Sequence, residues 1–284
     1  MKLTNITVKG SSPLNEDSLA LNPSLNMYGV IDGATSLVPF KGKNGETGGY
    51  YAAQILSDFL QALPCPANTE WSPTEALLQA NQKLREEMIK HGIQADRKEE
   101  LWGACAILIR VDDDFIEYAH AGDCMLIAQY EDGSFRSVTH DQLAHIDNKT
   151  RALWAEGVAA GLRTNEELWA YVKPQIVSGR HTANTREGYG VLNGDPELSR
   201  FIESGKINRI KLKTLLLMSD GLYAPKPGGE EPANAEDVAR SVSALGLEGY
   251  IQQQIQLEEG DPQCLRFPRV KKSDDKTAIL IDFT

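Results

Sequence analysis

Five short acidic motifs stand out, and carboxylates are the side chains through which this chain could do chemistry. Three follow an apolar run directly: Tyr28-Gly29-Val30-Ile31-Asp32-Gly33, Ala119-His120-Ala121-Gly122-Asp123 and Leu215-Leu216-Leu217-Met218-Ser219-Asp220-Gly221. A mirror case, Ser273-Asp274-Asp275-Lys276, precedes the run Thr277-Ala278-Ile279-Leu280-Ile281, and Asn15-Glu16-Asp17-Ser18 precedes an apolar stretch near the start. Carboxylates at strand ends can converge on one edge of a sheet pair, where they repel one another strongly unless a cation sits among them. Oxygen ligands without His or Cys select Mg²⁺ or Mn²⁺ over zinc or copper. A glycine beside the aspartate lets a backbone carbonyl approach an ion closely. Asp-Gly is also a strong hairpin-turn signal, and Glu131-Asp132-Gly133 is read as a turn alone.

The elements that must position these groups are legible in outline. Strand patterns cover Asn26 to Ile31, Ala106 to Val111, Phe115 to Ala121, Met125 to Tyr130, Ser134 to Thr139, Leu212 to Met218 and Thr277 to Phe283. Those between Trp102 and Thr139, joined by tight acidic turns, predict an antiparallel meander. Ser72-Pro73-Thr74-Glu75 is a capping box, and Leu77, Leu84 and Met88 share a face, so a helix is predicted from Pro73 to Lys90. Helical spacing also marks Gly49 to Leu63, and Thr164-Asn165-Glu166-Glu167 caps a helix carrying Leu168, Trp169 and Val172. A further helix runs from Asn234 to Leu245 and is closed by Gly246, after a surface loop at Pro225 to Pro232. Strict β-α-β alternation is absent, which counts against a Rossmann sheet, and strands at both chain ends and in the middle with helices between give one mixed domain.

The 284 residues carry 29 Lys and Arg against 40 Asp and Glu, a net charge of −11. That acidity argues against a nucleic-acid partner and against an anionic membrane surface. No apolar run approaches the ~20 residues that cross a bilayer, and Met1-Lys2-Leu3-Thr4-Asn5 lacks the apolar core of a signal peptide. Cys65, Cys105, Cys124 and Cys264 lie far apart without a CxxC pair, so neither a zinc site nor a disulfide framework is expected. Cys105 reads as a small buried hydrophobe, and the expected compartment is the reducing cytoplasm.

Taken in order, Asn-Glu-Asp, Val-Ile-Asp-Gly, a mid-chain Gly-Asp, Met-Ser-Asp-Gly and a terminal Asp-Asp-x-Thr resemble the bacterial branch of the metal-dependent protein phosphatase 2C family. The resemblance runs from about Asn15 to Phe283. It implies an α+β fold: a β-sandwich of two antiparallel sheets flanked by helices on both outer faces, forming one domain over 1–284 with a flap-like insertion at about 142–195. It also implies two Mn²⁺ or Mg²⁺ ions, bridged by Asp32. Asp220 and Asp274 would hold the first, and the Gly33 carbonyl and Glu16 would serve the second, Glu16 directly or through water. Asp17 would orient metal-bound waters, and Asp123 would share a third ion with Asp220. Asp17, Asp32 and Asp220 are thus the expected catalytic carboxylates. The implied activity is hydrolysis of phosphoserine or phosphothreonine on a protein substrate by a monomeric enzyme, with a metal-activated water as nucleophile. His120, His140 and His145 are not needed in that scheme.

One departure bears on the substrate. The family places an arginine four residues before the Glu of Asn-Glu-Asp, where it clamps the phosphate, and here that position is Ser12. Lys9, Arg180 and Arg186 are the candidate replacements. A vacant clamp predicts weak phosphomonoester binding, which Ser12→Arg should improve about tenfold. Ala34-Thr35-Ser36 also differs from the family after Asp32-Gly33. A phosphatase-like binding module and a small-metabolite phosphatase of the same fold remain open beside the leading reading.

Overall fold

The computed structural model describes residues 1–34, 36–65, 71–94, 97–228, 230 and 233–284. Thr35, and Gly229, Glu231 and Pro232 of the expected 225–232 loop, lie outside the described residues. In chain order the strands are β1 (Lys2–Val8), β2 (Asp17–Asn22), β3 (Met27–Ala34), β4 (Gly103–Val111) and β5 (Phe115–Ala121), then β6 (Met125–Tyr130), β7 (Phe135–Ser137), β8 (Glu203–Asn208), β9 (Leu212–Met218) and β10 (Lys276–Asp282). The helices are α1 (Gly48–Gln61), α2 (Pro73–Lys90), α3 (Ala144–Ala159), α4 (Asn165–His181) and α5 (Ala235–Glu259).

Two five-stranded sheets form, in the orders β1-β10-β9-β6-β7 and β2-β3-β4-β5-β8, with every pairing antiparallel. Alternation along each strand builds the layers, since successive side chains point to opposite faces. On β4, Cys105, Ile107 and Ile109 face Leu126, Leu215, Leu217, Ile279 and Ile281 of the other sheet, making the inter-sheet core. Ala104, Ala106 and Leu108 face outward instead, against Leu56 and Leu60 of α1 and Leu77 and Leu84 of α2. Leu216, Met218 and Ala278 pack in the same way against Val238, Val242 and Tyr250 of α5. Helices therefore cover both outer faces of the sandwich, as the resemblance implied.

Three local expectations change. The meander is split: β5 pairs in one sheet and β6 in the other, so the chain crosses between sheets at Gly122-Asp123-Cys124. Gly122 makes that crossing at φ +94°, and a Cβ there would collide with the Cys105 side chain. Gly246 does not end its helix but sits at φ +73° in a kink, after which α5 resumes to Glu259. Strands β1 and β8, both largely exposed at sheet edges, carry no alternation that marks them, whereas β2 is the apolar stretch that follows Asn15-Glu16-Asp17-Ser18. The capping boxes at Ser72–Glu75 and Thr164–Glu167 both form.

Candidate metal centre

All the acidic motifs come to one end of the sandwich, where strands of both sheets stop. Asp17 and Asp32 are direct partners across β2 and β3, and Asp32 is opposite Cys105 on β4. All three share the parity of the inter-sheet core residues, so their side chains cap that core at its end. Asp220 follows β9, Asp274 precedes β10, and Asp123 lies in the crossing between the sheets. One carboxylate oxygen each of Asp32 and Asp123 and the Cys124 sulfur lie within 4.8 Å of one another.

The backbone around these groups is tightly tied. Asp275 accepts from the amides of Gly10 and Glu16, each at 2.7 Å, and so joins the start of β10 to the loop before β2. Its neighbour Asp274 is left facing the cavity, where Lys271 Nζ donates to Oδ1 at 2.8 Å. Ser219 Oγ donates to Asp17 Oδ2 at 2.7 Å while accepting from the Thr277 amide at 3.0 Å, a link between the two sheets. Glu16 accepts from the Thr47 hydroxyl, the N-cap of α1. The Gly33 amide donates to the Glu16 carbonyl at 3.0 Å, and a Cβ at Gly33 would overlap the Gly49 and Glu16 carbonyls. Only glycine fits there.

The electrostatics are those of carboxylates short of cations. Burial pushes Asp32 and Asp123 well above the usual carboxylate range, and neighbouring carboxylates add to the shift: Asp17 and Asp220 for Asp32, Asp220 and Asp141 for Asp123. Asp17 is pushed up to about 8, by burial first and by the Asp274 and Asp220 charges, against the Ser219 hydrogen bond. Asp220 is raised to about 6, chiefly by burial and Asp274. Oδ1 of Asp123, a residue only 6% exposed, is buried with no hydrogen-bond partner among the described residues.

The carboxylates open onto two contiguous cavities. One, of about 570 Å³, is lined by Asp32, Gly33, Asp123, Asp220 and Asp274 on the sandwich side and by Ile146, Trp169, Ile176 and Arg180 of α3 and α4 on the other. The second, of about 600 Å³, reaches Asp123, Asp220 and Asp274 but neither Asp32 nor Gly33, and Arg151 and His140 line it. Glu16 and Asp17 line neither cavity.

Several residues here were not singled out in the sequence. Asp147 of α3 joins the cluster and is raised to about 7 by burial and by Asp220 and Asp141. It carries no local signal, because the hairpin that brings it over the site is a tertiary feature. Lys271 lies three residues before Asp274, a spacing that nothing in the acidic pattern demanded. Cys124 was set aside with the other cysteines, yet it directly follows Asp123. Burial pushes its thiol well up, which keeps it neutral and a poor ligand beside the carboxylates. His120 is fully buried in its sheet with Nδ1 3.5 Å from Glu203, away from both cavities.

The arrangement has known counterparts. The chain's fold superposes on that of a bacterial serine phosphatase with a TM-score of 0.61, at 16% identity over 100% of this chain and 98% of that one. For Stp1, a serine/threonine phosphatase of Staphylococcus aureus, the TM-score is 0.56 at 15% identity, covering 100% and 95%. For the catalytic domain of the serine/threonine protein phosphatase PstP, in complex with two manganese ions, it is 0.56 at 16% identity, covering 99% and 97%. At such identities the likeness is one of fold. No curated protein sequence matches the chain. The family described as Protein phosphatase 2C matches residues 10–257. With that match spanning most of its length, the chain belongs to the protein phosphatase 2C family.

Proposed function

We propose that the chain is a Mn²⁺- or Mg²⁺-dependent hydrolase of phosphoserine and phosphothreonine in proteins. The observation that carries this reading is the convergence of Asp32, Asp123, Asp220 and Asp274 on one cavity, with Asp32 and Asp123 held far above their usual pKa by burial and mutual repulsion. Divalent cations relieve that repulsion and give the orphaned Asp123 Oδ1 a partner. The donors lining the cavity are hard carboxylate oxygens, the set that suits Mg²⁺ or Mn²⁺. Similar folds named as serine or serine/threonine phosphatases, one of them with two manganese ions, support the same reading.

In this scheme Asp32, Asp220 and Asp274 would hold the first ion, and Asp32, the Gly33 carbonyl and Glu16, directly or through water, would hold the second. Asp123 would take a third with Asp220. The ions, when bound, acidify water and offset charge on the phosphoryl oxygens. The chain's own residues do the rest. Asp17, fixed by Ser219, presents an acceptor beside the cluster. Lys271 offsets part of the charge of Asp274. Leu143, Ile146, Trp169 and Ile176 form an apolar wall over the carboxylates, which strengthens the electrostatics below it by excluding water. The segment from 142 to 195, with α3 and α4, acts as the flap over the site. Four free cysteines, three of them buried, suit a reducing compartment.

The decisive experiment is hydrolysis of p-nitrophenyl phosphate and of a phosphothreonine peptide, each in Mn²⁺ and in EDTA. Turnover of both in Mn²⁺ and of neither in EDTA is expected. Full turnover after verified metal removal overturns the metal mechanism, and turnover of the small ester alone overturns the protein-substrate assignment.

A further inference from the structure

We infer that Arg180 is the guanidinium that receives the substrate phosphate, the role the family gives to an arginine at the position that is Ser12 here. The inference rests on the phosphatase reading above and names a residue for it. Of the three cations the sequence offered as replacements, Lys9 is exposed, donates to the Pro13 carbonyl at 3.3 Å and lines neither cavity. Arg186 is exposed and lines neither. Arg180, in the last turn of α4, lines the cavity that holds Asp32 and Gly33.

The other cations near the carboxylates are committed or misplaced. Lys271 is bound to Asp274. Arg151 lines the cavity that does not reach Asp32 or Gly33. Lys173 also lines the cavity with Asp32, but it is exposed on α4 and offers a single ammonium instead of a planar fork. Arg180 makes no ion pair within 4.0 Å among the described residues, although Asp123 and Asp147 lie close enough to feel its charge. Tyr189 lines the same cavity, and its hydroxyl lies close enough to interact with the guanidinium. A guanidinium has five N–H donors in a planar fork, so a parallel pair is available for two phosphate oxygens. A phosphomonoester dianion approaching this many carboxylates needs such a group besides the metal ions.

The test reads binding and turnover together. KM and kcat for p-nitrophenyl phosphate, and the Kd of inorganic phosphate by titration calorimetry in saturating Mn²⁺, are measured for wild type, Arg180→Gln, Arg180→Lys, Lys9→Ala and Arg186→Ala. Arg180→Gln is expected to raise KM and the phosphate Kd about tenfold or more, with the fold intact by circular dichroism and Mn²⁺ affinity no weaker than wild type. Arg180→Lys should recover part of the loss, and the other two variants should stay near wild type. An unchanged phosphate Kd in folded Arg180→Gln overturns the inference, as does an equal loss in Lys9→Ala or Arg186→Ala. If Arg180→Gln fails to fold, Arg180→Lys decides: a several-fold rise in KM supports the fork, and an unchanged KM overturns it. If wild type turns over nothing in Mn²⁺, the phosphatase reading fails, and the phosphate Kd still decides for or against Arg180.

Discussion

Two buried ionic regions lie side by side in this molecule and treat charge in opposite ways. Where α5 meets β10, Lys276, 1% exposed, donates to both Glu258 oxygens at 3.0 Å and also to Ser273 Oγ and the Asp274 carbonyl. Close by, Asp261 accepts from the Leu265 and Phe267 amides and from Arg269, each at 2.9 Å. Burial alone would raise its pKa, but these donors hold it below the usual value. Asp220, half-buried and of the same residue type, is raised to about 6. The first region is neutralised from within. The second carries more carboxylates than the chain has cations to offer, and its balance must come from outside. That contrast separates scaffold from site better than burial or acidity does. The Lys276 contact with the Asp274 carbonyl shows that the paired region also positions the unpaired one.

The largest effect should come from removing charge at the unpaired end. Asp32→Asn and Asp220→Asn keep shape but remove a ligand charge, so kcat measured in saturating Mn²⁺ should fall by orders of magnitude, while circular dichroism shows the fold intact. Near wild-type rates in both would mean that the convergence of carboxylates is not the catalytic centre.

The paired region should respond in the opposite sense, with stability rather than turnover. Lys276→Met leaves Glu258 buried without its partner, a loss of about 3–5 kcal/mol by the general behaviour of broken buried pairs. Denaturant unfolding of the metal-free protein reads it, and Lys276→Met with Glu258→Gln should recover much of the loss. A single variant within ~1 kcal/mol of wild type would remove the distinction between the two regions.

How much of this contrast was legible beforehand depends on range. The unpaired end announced itself because each carboxylate sits beside an apolar run, a local pattern, and the order of the runs carried the family resemblance. The two-sheet fold came with that resemblance, whereas periodicity alone read β5 and β6 as one meander. Gly122 could not reveal by its identity that the chain changes sheets there. The paired region was illegible: Glu258 and Lys276 are 18 residues apart on different elements, and their contact exists only once α5 packs. Asp147 escaped notice and Arg180 stayed one of three candidate cations for the same reason, since the placement of α3 and α4 is set by tertiary packing and not by any nearby motif.

A smaller effect, of a sign unusual for a buried substitution, is expected at Asp17. Its carboxyl is raised from 3.8 to about 8, so between those pH values the native state holds a proton that the unfolded chain has released. Native stability from this group is therefore undiminished below about pH 4 and falls as pH rises toward 8. Asp17→Asn removes the penalty and leaves an oxygen to accept from Ser219. The metal-free variant should melt above metal-free wild type at pH 8, by about 2–4 °C for each kcal/mol relieved, with the gap closing toward pH 4. Saturating Mn²⁺ should narrow the gap at pH 8 by supplying wild type with its missing counter-charge. A gap that widens on acidification would mean that Asp17 is satisfied in the manner of Asp261.

The smallest effect is predicted where the sequence alone expects a large one. If the phosphate clamp were vacant, Ser12→Arg would lower KM for p-nitrophenyl phosphate about tenfold. Ser12 lines neither cavity, and its neighbour Ser11 donates to the Ser273 carbonyl at 2.9 Å, which ties the loop to the segment before β10. Arg180 already presents a fork on the Asp32 side. An added guanidinium at position 12 is then one more exposed cation, whose contribution at a distance is weakened by solvent and salt. KM should move by less than about twofold, or ~0.4 kcal/mol. A tenfold fall would show that the unpaired end accepts a clamp from the β1–β2 loop and that the cation deficit there is larger than Arg180 and Lys271 can cover.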